Sequence, residues 1–254
     1  MLTEVDWSED RAYSTESDSE PFQFYFDGLC NSTNFDLLLG YFSSAAINVL
    51  SLGFATFLYS GGSVRMVVNN VLSENDRDAI KAADEGAYSN NAIDLTDIKQ
   101  LKRSLDEYGK HFFECLAWLF ANKKIELKII RPKRGKGIAH YKSGVFFDGK
   151  EYVGFKASCN FTAFGLLENL EELDAFLSWE GVRSTMMIKK QSSDFEAIFS
   201  GNNKLVDYLD VEDVIIAIQS EFGAKSLKEL IIQEKELLEK HFSGNPRQLM
   251  VRSF

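Results

Sequence analysis

Ile138-Ala-His140-Tyr-Lys142-Ser-Gly-Val-Phe-Phe147-Asp148-Gly149-Lys150-Glu151-Tyr-Val-Gly-Phe-Lys156 is the stretch from which the rest of the chain is read. Two runs rich in aromatic and β-branched residues flank an aspartate-glycine turn, the pattern of a β-hairpin. It predicts strands over His140–Phe147 and Glu151–Lys156, joined at Asp148-Gly149-Lys150. Alternate residues of a strand point to one face, so His140 and Lys142 stand side by side. An imidazole beside an ammonium is either a plain edge-strand pair or a nucleophile next to a point charge. The residues around the hairpin decide between the two.

On the N-terminal side the pattern is layered. Phe35–Phe42 is a short apolar run, read as a buried strand. A helix is expected from about Ser44 to Tyr59, with Ile47, Leu50, Phe54 and Leu58 on one face and Gly61-Gly62 at its end. Ser63–Val68 reads as a second strand, and Ser73-Glu-Asn-Asp as the start of another helix. A long helix is expected over Asp94–Asn122, followed by a strand at Ile125–Ile130. Beyond the hairpin, Leu173–Trp179 reads as a strand, with helices near 192–200 and 226–242. This order predicts an α/β/α layered mixed sheet with helices on both faces. The expected division is an acidic, loosely held leader at 1–20, a catalytic domain at 21–200, and a helical extension or connection to a larger chain at 201–254.

Composition narrows the function. The 254 residues are 45% hydrophobic and 26% charged, ordinary values for a globular chain. Three scattered cysteines, Cys30, Cys115 and Cys159, make neither a disulfide framework nor a zinc spacing, and suit a reducing cytoplasm. No apolar run is long enough to span a bilayer, and no membrane partner is expected. The net charge of −10 is unevenly spread. Residues 1–20 hold seven acids against Arg11, whereas 123–142 hold eight bases against Glu126. Within the basic stretch, Arg131, Lys133, Arg134 and Lys136 read either as a solvated basic loop or as a mobile loop able to hold a nucleic-acid backbone. His111 and His241 lie in expected helices and read as packed helix residues.

Past the hairpin come Ala157-Ser158-Cys-Asn160-Phe-Thr162, Gly165, and Asn169-Leu-Glu171. His140-x-Lys142, the hairpin and this series together resemble the HKD phosphodiesterases of the phospholipase D superfamily. The resemblance is greatest to bacterial nuclease modules of restriction and phage-defence proteins, often joined to a helicase-like chain. It spans about residues 22–200. Two positions depart from the family pattern. Five residues rather than four separate Lys142 from Asp148, which assigns Asp148 to the turn, and Ala157 stands where the family often has Gly.

The resemblance implies roles. His140 is the nucleophile that forms a phosphohistidine. Lys142 and Asn160 stabilise the phosphoryl oxygens, Ser158 orients the site, and Glu171 accepts from the other nitrogen of His140. Thr162 is expected to cap a helix. No metal or other cofactor is implied, and the sequence shows no cluster of ligand spacing. Two-step displacement needs a second imidazole, and there is one His-x-Lys per chain. A homodimer that pairs two copies of His140 is therefore expected. The expected function is metal-independent cleavage of nucleic acid, DNA ahead of RNA, in a restriction or defence setting in the cytoplasm. A helicase or other defence component, in the same longer chain or separate, is a possible partner. The alternatives are a phospholipid hydrolase or transferase of the same superfamily and a catalytically silent DNA-binding or dimerisation module.

Overall fold

The computed structural model describes residues 1–14, 17–39, 50–69, 98–133, 142–157 and 172–243. Its centre is an eight-stranded mixed sheet in the order β1-β7-β6-β5-β2-β3-β4-β8. The strands are β1 (Ala12–Ser14), β2 (Asn34–Leu39), β3 (Ser63–Asn69), β4 (Ile125–Pro132), β5 (Lys142–Phe147), β6 (Tyr152–Ala157), β7 (Glu172–Leu177) and β8 (Val206–Leu209). β2, β3 and β4 run parallel, while every other pair of neighbours is antiparallel. The parallel strands are apolar runs because both of their faces are covered. Leu37 and Leu39 of β2 enter the larger core, whereas Leu38 joins Val67 and Ile130 in a second core on the opposite face.

The larger core lies under α1 (Pro21–Cys30), α2 (Phe54–Tyr59), α3 (Ile98–Ser104) and α4 (Glu107–Ala121), with α6 (Glu212–Phe222) and α7 (Leu227–Ser243) packed outside them. The second core is closed by α5 (Val182–Phe199), which supplies Phe195, Ile198 and Phe199. Arg65 of β3 ties α5 to the sheet. Its guanidinium donates to Asp36 at 2.8 and 2.5 Å and to Glu196 at 2.5 Å, and lies over the Phe195 and Phe199 rings. Helices on both faces of one mixed sheet are the α/β/α architecture expected.

Four differences from the sequence reading have identifiable causes. The acidic N-terminal segment is not loose in its described part. Leu2, Trp7 and Tyr13 are buried, and β1 pairs antiparallel with β7. Charges on its surface cost little, while each deeply buried side chain contributes about 1.5–3 kcal/mol. Burial pushes the Tyr13 hydroxyl up to about 12. The described part of the long helix is two helices, because Asp106 caps α4 by accepting from Gly109 N at 2.8 Å. The described part of the helix over 44–59 is interrupted at Gly53, whose φ of 92° leaves the helical region, and α2 begins at the next residue. The described residues beyond 200, 201–243, are not an appendage. β8 pairs with β4, and Ile218, Phe222, Leu230 and Leu237 enter the main core. Two elements there, β8 and α6, have no counterpart in the expectations.

Candidate active site

The parallel strands β2, β3 and β4 end at Leu39, Asn69 and Pro132. β5 runs against β2, so its first residue, Lys142, lies at that same end, opposite Leu39. In the next pair Ser143 faces Lys156, and beyond it Ala157 faces Leu173. The end of β6 and the start of β7 therefore flank the start of β5 at one edge of the sheet. Leu39 in turn faces Val68, and Val68 faces Ile129, so the row continues across the parallel strands. Ligand sites of open α/β sheets form beyond the carboxyl ends of parallel strands.

The sequence candidates distribute themselves about this edge as follows. The backbone of Lys142 occupies the register position just given. His140, two residues before it, Ser158 and Asn160, just after β6, and Glu171, just before β7, lie outside the described residues, as do Arg134 and Lys136. Neighbouring strands are about 4.8 Å apart. The three chain positions from which these candidates depart are thus within about 10 Å across the sheet.

Arg131 and Lys133 are described, and here the expectation of a mobile loop is corrected in part. Arg131 and Pro132 belong to β4, and Lys133 N donates to Leu205 O at 3.0 Å. Hydrogen bonding to the residue just before β8 continues the pairing to this point. Arg131 Nη2 lies 3.6 Å from Asp207 Oδ2, and Lys133 Nζ lies 3.9 Å from Asp207 Oδ1. The described bases of this stretch do not share one surface. Lys123 and Lys124 precede β4, and the Lys124 ammonium donates to Gly61 O at the far end of that strand. Lys128 lies over the Phe199 ring on the α5 face. An eight-residue strand separates the first bases from Arg131 and Lys133 by more than 20 Å, taking about 3.3 Å per residue.

Asp148 sits at the opposite end of β5 from Lys142, in the turn where the spacing assigns it. Its Oδ1 accepts from Lys150 N at 2.9 Å and Glu151 N at 2.8 Å, and its Oδ2 from Leu2 N at 2.9 Å. Gly149, with φ of 98°, supplies the left-handed residue of that turn.

The other two histidines lie in the helical layer. His241 packs against Phe22 with ring centroids 4.6 Å apart and the rings tilted by 41°, and burial holds it below the ordinary imidazole range. His111 is fully buried, its Nε2 3.7 Å from both Glu234 Oε2 and Cys115 Sγ. Burial pushes the Cys115 thiol up, so it is not poised as a nucleophile. Sequence reasoning missed Asp207 and Glu234. The alternation Leu205-Val-Asp-Tyr-Leu209 could have revealed β8 and hence Asp207. Glu234 carries no local signal, because its partners are distant in the chain.

No family model and no curated protein matches the chain. Among solved structures it is similar to NucT from Helicobacter pylori, at 12% identity over 70% of this chain and 86% of that one, with a TM-score of 0.41. It is also similar to Nuc from Salmonella typhimurium, described as a phospholipase D family member, at 11% identity over 78% and 95% of the two chains, TM-score 0.42. Phosphatidylserine synthase from Haemophilus influenzae matches at 14% identity over 94% of this chain and 45% of that one, TM-score 0.43.

Proposed function

We infer that the chain is a metal-independent phosphodiesterase of phospholipase D type that cleaves nucleic acid, DNA in the first place. The observation that carries this reading is the register at the sheet edge. Lys142 begins β5, and the strand ends that lead to Ser158-x-Asn160 and from Glu171 are its neighbours in sequence order β6 and β7. The motif residues are separated by up to 31 positions in the chain, yet depart from adjacent strands. That is what a single phosphate-handling centre requires.

The chemistry follows from the residue types. A ring nitrogen of His140 attacks phosphorus, forming the P–N bond as the P–O bond to the leaving group breaks. The imidazole of a second copy protonates the departing oxygen. It then takes a proton from water, which displaces phosphorus from His140 and restores both rings. Lys142 and Asn160 hold the charge that builds on the non-bridging oxygens. Ser158 orients the site, and Glu171 fixes the His140 tautomer through the other ring nitrogen. We place the activity in a cytoplasmic restriction or phage-defence system, in a homodimer, with a helicase-like component as partner. Among the described residues no helix is long and apolar enough to cross a membrane.

The test is cleavage of end-labelled DNA and RNA oligonucleotides, with excess EDTA present, by the wild-type chain and by His140→Ala. Cleavage by the wild type and none by a variant with an unchanged thermal transition supports the reading. Full activity in His140→Ala, or loss of wild-type activity on chelation, overturns it. Cleavage of phosphatidylcholine vesicles but not of oligonucleotides would transfer the activity to lipid.

A further inference from the structure

The edge formed by β4 and β8 holds an anion position that the chain fills with one of its own carboxylates. Asp207 lies opposite Arg131 in the register, and Ile129–Pro132 pair with Val206–Leu209 beneath it. The Arg131 guanidinium stands 3.6 Å from one oxygen of Asp207 and the Lys133 ammonium 3.9 Å from the other. Two cations thus meet two oxygens of one singly charged group. The two non-bridging oxygens of a phosphodiester present the same charge in a similar geometry.

This arrangement is built to be exchanged. The Arg131, Lys133 and Asp207 side chains are 61%, 47% and 42% exposed. An ion pair so open is screened by water and salt and holds its partners weakly. The backbone carrying the two cations is nevertheless fixed by the ladder and by the hydrogen bond from Lys133 N to Leu205 O. A phosphate that displaces the carboxylate finds both cations in place. The position lies at the sheet end where Lys142 begins β5, three strand spacings away, or about 14 Å. A polynucleotide crossing that end reaches both.

We propose that Arg131 and Lys133 form a subsite for a backbone phosphate away from the scissile bond, and that Asp207 is a competitor that occupies it until nucleic acid arrives. This rests on the nucleic-acid reading above and adds a regulating residue to it. Asp207 sets how much polyanion the edge retains, and hence how readily short or weakly held strands are released.

The experiment measures anisotropy of a fluorescein-labelled single-stranded oligodeoxynucleotide in a His140→Ala background, between about 50 and 200 mM salt. Asp207→Asn is expected to tighten binding about threefold to tenfold at the low-salt end. It should also steepen the plot of log K against log salt by about 0.7 for each further phosphate that the edge neutralises. Adding Arg131→Gln and Lys133→Gln to Asp207→Asn should abolish both effects. Asp213→Asn makes the same change in net charge six residues along the chain, at the exposed start of α6, and should leave affinity within twofold of the parent. Parent binding with no tightening in Asp207→Asn, or equal tightening in Asp213→Asn, overturns the inference alone. A parent that does not bind the oligonucleotide overturns the nucleic-acid reading and this inference with it.

Discussion

Asp148 illustrates how a carboxylate next to the His-x-Lys pattern acquires a structural role. Partial burial pushes its carboxyl up, but the N–H donors of Glu151, Leu2 and Lys150 outweigh this and hold it below the usual carboxylate range. A depressed folded value means the ionised form stabilises the fold. That contribution is complete above the unfolded value of about 3.9 and is lost as pH falls through the lower folded value. Asp148→Asn should therefore lower stability at neutral pH by less than about 1 kcal/mol, because water reaches the group. The gap to wild type should close in acid, below about pH 3.9, as urea denaturation across that range would show. Oligonucleotide cleavage should be unaffected, since the turn is six residues along β5 from Lys142. A large loss of cleavage with an intact fold would return Asp148 to the catalytic pattern.

Among the elements, α7 shows how an outer helix is made part of the fold. Its buried Glu234 accepts from Ala55 N at 2.6 Å, from Thr56 N at 3.1 Å and from the Thr56 hydroxyl at 2.6 Å, all at the start of α2. Orphan N–H groups at a helix start need an acceptor, and here it comes from a residue 179 positions away from Ala55. Glu234→Ala leaves those donors buried without partners. It should cost roughly 3 kcal/mol, read as a lower urea midpoint at constant m-value. An unchanged midpoint would mean that α7 detaches without consequence for the sheet. The boundary between α3 and α4 has the opposite origin. Ser104-Leu-Asp106 holds the cap that divides them, so this break has a local signal, which the longer apolar stripe masks.

For the whole molecule, the decisive count is one His-x-Lys pattern in 254 residues. His111 and His241 are both packed in the helical layer, so neither is offered to the sheet edge as a second imidazole. If each centre draws His140 from two copies, mixed dimers carry one imidazole and complete at most one of the two steps. Wild-type protein exchanged with an excess of His140→Ala should lose more activity than dilution explains, and sedimentation should report a dimer. Undiminished activity from a monomer, far below any self-association, would defeat the shared-site reading.

The local pattern was enough for the central strands, the hairpin and the class of architecture. β2, β3, β4, β5 and β6 declare themselves through apolar runs or alternation, and the Asp-Gly turn sets the register of β5 on β6. His140, Lys142, Ser158, Asn160 and Glu171 were nominated by the resemblance of their order to a family motif, which is also visible without coordinates. The local pattern was not enough for β1 and β8. These are edge strands of three and four residues whose pairing energy comes from β7 and β4, far away in sequence. Nor could charge counting show that the described bases of 123–133 divide between the two ends and the α5 face of β4. Only the tertiary structure set Asp207 against Arg131 and Lys133, and Glu234 against the start of α2. Such contacts depend on which strands and helices become neighbours, and the burial of apolar surface across the whole chain decides that.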